Sequence, residues 1–352
     1  MKKNDFVQMS LFDLTQWKDI KVKEKIKVLE LFGGIGACTQ AFKKAGIDHE
    51  IVDYVEIDKY AVASYNAING TEFKPQDICL WDKDINVDLI CHGSPCQNFS
   101  IAGDQAGGDE GSGTKSSLMY ETIRIVKKIR PKYIIWENVK NLLSSTHFHN
   151  FKAYLDVMDE LGYDSYYQVL NGVDFGIPQA RQRVFTISIR KDLKQYFEFP
   201  EKKPLNITMQ DLFEDESDIN PRFYLSNKMI DYCTGVNQRE SKFPRGERFL
   251  SNLNRKDQTV ANTITTLPGQ RPYDNFVKLK DGKITFEDFV IGSSDIKLRK
   301  LTPLECWRLQ GFSDEAFYKA SQVNSDTQLF KQAGNSIVVN VLEAILNNLL
   351  TK

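Results

Sequence analysis

A cysteine follows a proline in Gly93-Ser94-Pro95-Cys96-Gln97-Asn98-Phe99-Ser100, directly after the apolar run Val87-Asp88-Leu89-Ile90-Cys91. Such a thiol is either a small buried hydrophobe or a nucleophile held at the carboxyl end of a strand. A carboxyl stands in Trp136-Glu137-Asn138-Val139, again behind an apolar run. Strands ending at Cys91 and at Trp136 would bring Cys96 and Glu137 to one edge of a sheet. A thiolate beside a carboxyl suits covalent attack coupled to protonation of an electron-poor ring. Arg181 and Arg183 occupy alternate positions leading into Val184-Phe185-Thr186-Ile187, which puts them on one face. Singly, these features read as a buried cysteine, an exposed acid and a salt-bridged surface. In this order along one chain, the catalytic reading outweighs the bland ones.

A second constellation precedes them. Leu29-Glu30-Leu31-Phe32-Gly33-Gly34-Ile35-Gly36 places three glycines between a strand and a helix, a turn that lets a ligand approach backbone at a helix N-terminus. It is not the dinucleotide fingerprint, because Thr39 stands where the third glycine would fall. Glu56 follows Gly36 at the end of the next apolar segment, where it could hold a ribose, and Asp77 ends the third segment. The pattern fits an adenosine-containing ligand or a plain tight turn.

The elements that must position these groups alternate. From Ile26 to Arg190, short apolar strands exchange with amphipathic helices, the pattern of an α/β, doubly wound and mostly parallel sheet that binds ligands beyond its strands' carboxyl ends. After Arg190 the alternation stops, and residues 191–298 mix aromatics, basic residues and turn signals such as Phe243-Pro244-Arg245-Gly246-Glu247-Arg248. Helical texture returns at Thr302-Pro303-Leu304-Glu305, where Thr302 suits an N-cap and Pro303 a first helical position. The last helical run, Ser336 to Leu350, is apolar on most faces and should dock on the first domain. The expected organisation is an N-terminal arm (1–25), a catalytic domain (26–190), a middle domain (191–298) and a C-terminal segment (299–352) returning to the catalytic domain.

Composition narrows the class. The 352 residues carry a net charge of −1 with six cysteines and four histidines. No cysteines form a CxxC pair, so free thiols in a reducing, cytoplasmic setting are expected, without a metal site. No apolar run is long enough to span a membrane. Charge is uneven: residues 221–300 hold fifteen Lys and Arg against nine Asp and Glu, while Asp211 to Ile219 hold five acids and no base. The basic stretch either tracks phosphates or is a solvated surface.

Taken in order, ELFGGIG, VEID, PQDI, GSPCQNFS, SSLMYETIRIV, WENV, VLNGVDFGIPQARQRVF, RKLTPLECWRLQGF and QAGNSIVVNVL resemble the motifs of the bacterial and phage cytosine-5 DNA methyltransferases. The likeness covers residues 26–190 and 298–350, with the segment between in the family's target-recognition position. It implies a Rossmann-like, S-adenosyl-L-methionine-dependent fold with a smaller, irregular target-recognition domain, and an enzyme that methylates C5 of cytosine in duplex DNA by flipping the base. By the same resemblance Cys96 adds to C6, Glu137 hydrogen-bonds the N3 and N4 edge, and Arg183 neutralises O2, with Arg181 as second choice. Phe32, Gly34, Gly36, Glu56, Ile57, Asp77, Pro95, Leu118, Asn335 and Ser336 would line the cofactor site. At position 57 many relatives carry an aromatic; Ile57 offers only apolar packing. The glycine-rich stretch after Cys96 suits a lid closing over an extruded base, and Ser100 within it is a candidate DNA contact.

In the middle segment, Gln258-Thr259-Val260-Ala261-Asn262-Thr263-Ile264-Thr265-Thr266 resembles the Thr-Ile/Leu element of the recognition domain, in the register of Thr263-Ile264 or Thr265-Thr266. Arg245, Arg248 and Arg271 are candidate base readers or phosphate contacts. A tRNA cytosine-5 methyltransferase is the nearest alternative, but such enzymes carry Cys-Phe-Thr where Cys233 here precedes Thr234-Gly235. A catalytically silent DNA-binding regulator on this fold is the other, opposed by Cys96, Glu137 and Arg183. In the arm, Gln8-Met9-Ser10-Leu11-Phe12 resembles the peptide by which bacterial DNA enzymes bind the sliding clamp, or it begins an N-terminal helix packed on the domain. A cognate restriction endonuclease is a further candidate partner.

Overall fold

The computed structural model describes residues 25–95, 118–234, 245–253, 259–271, 274–278 and 297–351. The elements up to Arg190 run β1 (Ile26–Leu31), α1 (Ala37–Ala45), β2 (His49–Val55), α2 (Lys59–Asn69), β3 (Leu89–His92), α3 (Met119–Ile129), β4 (Tyr133–Val139), α4 (Phe148–Glu160), β5 (Tyr163–Asn171), the two-residue β6 (Gln179–Ala180) and β7 (Gln182–Arg190). Six of these strands form one sheet in the order β2-β1-β3-β4-β7-β5. β1 pairs in parallel with β2 and β3, and β3 with β4; β7 is antiparallel to both its neighbours. The mostly parallel sheet expected from the alternation is therefore present, with one reversal. Its cause is local. A parallel return needs a crossover long enough to hold a helix, whereas β5 and β7 are joined by one turn of 3-10 helix at Gly172–Phe175 and by β6.

Side chains alternate across the sheet, so each strand feeds two cores. Val28 and Ile135 point into one, beneath α1; Leu29, Leu31, Ile134 and Trp136 point into the other, beneath α3 and α4. β3 is buried at all four positions, as a central parallel strand should be.

The chain then enters α5 (Asn227–Thr234), α6 (Arg245–Leu253), β8 (Ala261–Asn262), β9 (Phe276–Lys278) and β10 (Leu298–Lys300), and ends in α7 (Pro303–Arg308), α8 (Asp314–Ser321), α9 (Asp326–Asn335) and α10 (Val339–Leu350). Cys233, Phe249, Leu253, Phe276 and Leu298 form a small separate core. The segment is also stitched to the catalytic strands, because β8 pairs in parallel with β6. The acidic run lies mostly at the surface, but it is tied into the fold at two points. Glu216 binds Arg299 at 3.1 Å, and the backbone N–H of Glu214 donates to Glu305 at 3.1 Å. Arg299, fully buried, reaches Glu305 with both terminal nitrogens at 2.9 Å. Thr302 and Glu305 form a capping box at the start of α7, as the Thr-Pro pair anticipates.

α10 is apolar on nearly every face because it is buried nearly all round, and it lies on α1. Lys44 of α1 donates to Asn340 at 2.6 Å and pairs with Glu343 at 3.4 Å. By length and composition Asp326–Leu350 could cross a membrane, but in the fold it is two helices broken around Ile337, the second of them mostly buried.

Two expectations about boundaries differ. Asp77 ends no strand: it follows a loop and caps a 3-10 turn at Ile78–Leu80, accepting from the Cys79 N–H at 2.9 Å. β4 does not stop at Trp136 but runs to Val139, because pairing with β7 continues through Val139↔Arg183.

Candidate active site

At the carboxyl end of β4, the alternation that points Trp136 into the core turns Glu137 to the other face. The residue is 9 % exposed, and its carboxyl lies 3.0 Å from the Arg183 Nε, an ion pair held between two adjacent strands. Burial pushes the Glu137 carboxyl above its ordinary pKa, and Arg183 and then Arg181 partly offset that. Gly93 faces the same carboxyl: a Cβ there would lie 3.4 Å from the Glu137 Oε2. The Gly93-Ser94-Pro95 turn thus passes directly over the acid.

That turn is tied down. The Trp136 Nε1 donates to the Ser94 Oγ at 3.0 Å, and the Asn138 Nδ2 lies 3.4 Å from the Ser94 carbonyl oxygen. The two residues flanking Glu137 in β4 therefore hold the residues that lead into Cys96. Behind them His92 is buried and stacks parallel to Trp136, with ring centroids 5.7 Å apart. Neither ring nitrogen has a partner among the described residues, and burial lowers the pKa to about 3, so the ring is neutral packing. Cys96 and Ser100 lie outside the described residues.

Among the described cysteines, none is an activated thiol by its surroundings where a shift is resolved. Burial pushes Cys38, Cys306 and Cys233 up, the last to about 11, and partial desolvation with the Asp77 charge raises Cys79.

Arg181 lies between β6 and β7 and turns its guanidinium to backbone carbonyls. Its Nη1 donates to the Ile264 carbonyl and its Nη2 to those of Gly334 and Ser336. Arg183, by contrast, points at Glu137.

The glycine turn lies at the end of β1. Phe32 adopts a left-handed φ of 52°, rare for an aromatic residue, and Gly36 takes 83° with the Tyr65 ring 2.7 Å from where a Cβ would be. Glu56, at the end of β2, accepts from the Gly34 N–H at 3.1 Å and the Asp58 N–H at 2.8 Å. Ile57 beside it is 67 % exposed. Beneath the turn Glu30 is buried; its Oε1 accepts from the Thr39 N–H and hydroxyl at 2.6 and 2.7 Å, while its Oε2 has no partner among the described residues. Burial pushes this carboxyl up to about 7.

Leu118 and Pro95 are half-buried; Ser336 is buried and Asn335 exposed at the end of α9. A second link joins this end of α9 to α2, where Gln332 accepts from the Ser64 hydroxyl at 2.9 Å and Lys331 reaches Asp58 at 2.6 Å. Thr263 donates its hydroxyl to the Ala180 carbonyl at 2.7 Å, Thr265 is half-buried, and Arg271 is exposed. The side chains of Arg245 and Arg248 lie outside the described residues.

The C-5 cytosine-specific DNA methylase family matches residues 26–351. The chain belongs to that family. It is a DNA cytosine-5 methyltransferase. Type II methyltransferase M2.ScrFI from Lactococcus lactis subsp. cremoris is 34% identical over 92% of this chain and 99% of its own length. Type II methyltransferase M.HhaI from Haemophilus parahaemolyticus is 32% identical, over 94% of this chain and 97% of its own. In fold, the methyltransferase resembles the crystal structure of S. pombe Dnmt2 methyltransferase, with a TM-score of 0.68 at 22% identity, covering 93% of this chain and 98% of that one.

Ser94, Trp136, Asn138 and Gln179 are the residues that motif reading did not single out. Their common signal is a polar side chain inside an apolar or turn segment, which must find a partner when buried.

Proposed function

We propose that the enzyme methylates C5 of cytosine within a specific duplex DNA sequence, with the base extruded and Cys96 as covalent nucleophile. The observation that carries this reading is the buried Glu137–Arg183 pair beneath the Gly93-Ser94-Pro95 turn. The turn's next residue is Cys96, so the thiol follows the acid's own covering segment. Addition of the thiolate to C6 moves the double-bond electrons to C5, which would take the methyl group; loss of the C5 proton then restores the C5–C6 double bond and expels the Cys96 thiolate. Glu137, whose hold on a proton is strengthened by burial, hydrogen-bonds the N3 and N4 edge and donates to N3 as charge builds on the ring. Arg183 holds that carboxyl in place and faces O2 as the neutralising cation.

The residues around the glycine turn fit S-adenosyl-L-methionine. Glu56 is fixed by two backbone N–H groups at the edge of the turn, where a ribose diol would reach it, and Gly34 and Gly36 leave the backbone bare. Phe32, Ile57, Asp77, Pro95, Leu118, Asn335 and Ser336 complete the proposed lining. The cofactor supplies an electrophilic methyl group on a sulfonium.

The target-recognition role falls to residues 191–298, with Thr263, Thr265 and Arg271, and the Arg245, Arg248 and Ser100 side chains, as DNA contacts. The enzyme is proposed to act in the cytoplasm, with a cognate restriction endonuclease as functional partner. The Gln8–Phe12 peptide, outside the described residues, is proposed to bind the sliding clamp; a pull-down in which Leu11→Ala with Phe12→Ala retains clamp would refute that.

A random-sequence duplex library incubated with enzyme and cofactor, then mapped for 5-methylcytosine at single-base resolution, tests the activity. One enriched sequence context is expected, and unmodified or randomly modified DNA would overturn the proposal. With 5-fluorocytosine in the mapped site, a denaturation-resistant adduct should form with wild type and not with Cys96→Ala.

A further inference from the structure

Arg181 is only 4 % exposed, and its guanidinium faces backbone from two distant stretches. Its Nη1 donates to the Ile264 carbonyl at 3.0 Å; its Nη2 donates to the Gly334 carbonyl at 2.9 Å and the Ser336 carbonyl at 2.8 Å. Gln179, two residues earlier and fully buried, repeats the pattern: its Oε1 accepts from the Ile264 N–H at 2.9 Å, and its Nε2 donates to the Leu309 carbonyl at 2.6 Å. The two stretches also touch directly. A Cβ on Gly334 would come within 2.4 Å of the Thr265 carbonyl carbon and the Thr266 nitrogen, so only glycine fits.

We propose that Arg181 is a positioning residue that locks residues 263–266 to residues 334–336, so that target DNA and cofactor each tighten the other's binding. A planar guanidinium meets three fixed carbonyls only while both stretches keep their present spacing. The Gly334 contact leaves no slack for one stretch to move alone. An ion or ligand that orders one stretch therefore orders the other, and the effect on affinity is reciprocal. This inference rests on the functional reading above, in which residues 263–266 face DNA and Asn335 and Ser336 face cofactor.

The test uses the full chain, S-adenosylhomocysteine as cofactor probe, and two duplexes, one with the mapped methylation sequence and one without. Titration calorimetry gives the S-adenosylhomocysteine Kd with each duplex present, and the reciprocal DNA Kd with and without S-adenosylhomocysteine. In wild type the target duplex should tighten S-adenosylhomocysteine by at least about fivefold, with the same factor in the reciprocal titration. Arg181→Lys, which keeps the charge and loses the planar fork, should bring that factor close to one. Gly334→Ala should do the same with no change of charge. A merely structural role would lower the melting temperature and leave the ratio unchanged.

Hydrogen exchange of wild type needs no variant: the target duplex alone should protect amides in residues 334–336. The proposal is overturned by a wild-type factor of one, by folded variants that keep the wild-type factor, or by unprotected amides. Failure of wild type to methylate the mapped sequence would instead remove the functional reading, before any titration.

Discussion

Glu30 lies beneath the glycine turn with one carboxyl oxygen doubly bonded by Thr39 and the other without a partner among the described residues. Its pKa, raised to about 7 by burial, makes it a pH-dependent weight on stability. Between the ordinary carboxyl range and pH 7 the folded chain keeps a proton that the unfolded chain has lost. Stability from this group is therefore full at low pH and declines as pH rises through that window, by roughly 3 kcal/mol. Glu30→Gln should flatten that decline in urea titrations run from pH 5 to 8; an unaltered slope would assign it elsewhere. Glu137 is raised in the same direction, so it loses its proton, and its capacity to donate, as pH rises. Turnover should fall on the alkaline side in wild type, and Glu137→Gln, though slower by at least ~10²-fold, should lack that limb in its pH–rate profile. Ser94 offers a third check. Ser94→Ala strands the buried Trp136 N–H, which should cost about 1–3 kcal/mol and lower turnover more than it weakens cofactor binding, as equilibrium unfolding and steady-state kinetics would show.

At the scale of elements, what was legible followed from periodicity, and what was not depended on partners distant in sequence. Helix–strand alternation indicates the sheet, and Thr302-Pro303 indicates the start of α7. The strand ending at Val139 rather than Trp136 could not be read, because its last three residues are held as strand by β7. Glu137 was legible from its motif, whereas Ser94 and Asn138 acquire meaning only once β3 and β4 are neighbours. The acidic run Asp211 to Ile219 illustrates the same limit: its composition names no partner, yet Glu216 finds Arg299, far along the chain. Arg299 and Glu305 then make a buried pair whose rupture is expensive and whose replacement is not. Arg299→Met alone should destabilise the enzyme by about 3–5 kcal/mol, since Glu305 would be left charged and buried. Adding Glu305→Leu should recover most of the loss in thermal melts; a double variant as unstable as the single one would show that the pair contributes specific strength.

Across the whole molecule, a chain of net charge −1 concentrates positive charge in residues 221–300. Binding to duplex DNA should weaken steeply and linearly in a log–log plot of affinity against salt, because phosphate contacts release counterions. A flat plot would remove phosphate tracking from the middle segment's role. That segment is no appendage: Phe223, Ile264 and Val277 belong to the same core as Val28 and Leu342. The packing of α10 on α1 has a further consequence, for how the protein is made. A ribosome delivers α10 long after α1, so the apolar side of the newborn first domain stays uncovered until α10 has emerged. A nonsense codon placed just before α10 would therefore leave the α1 surface exposed, a substrate for chaperones and proteases rather than a shortened enzyme.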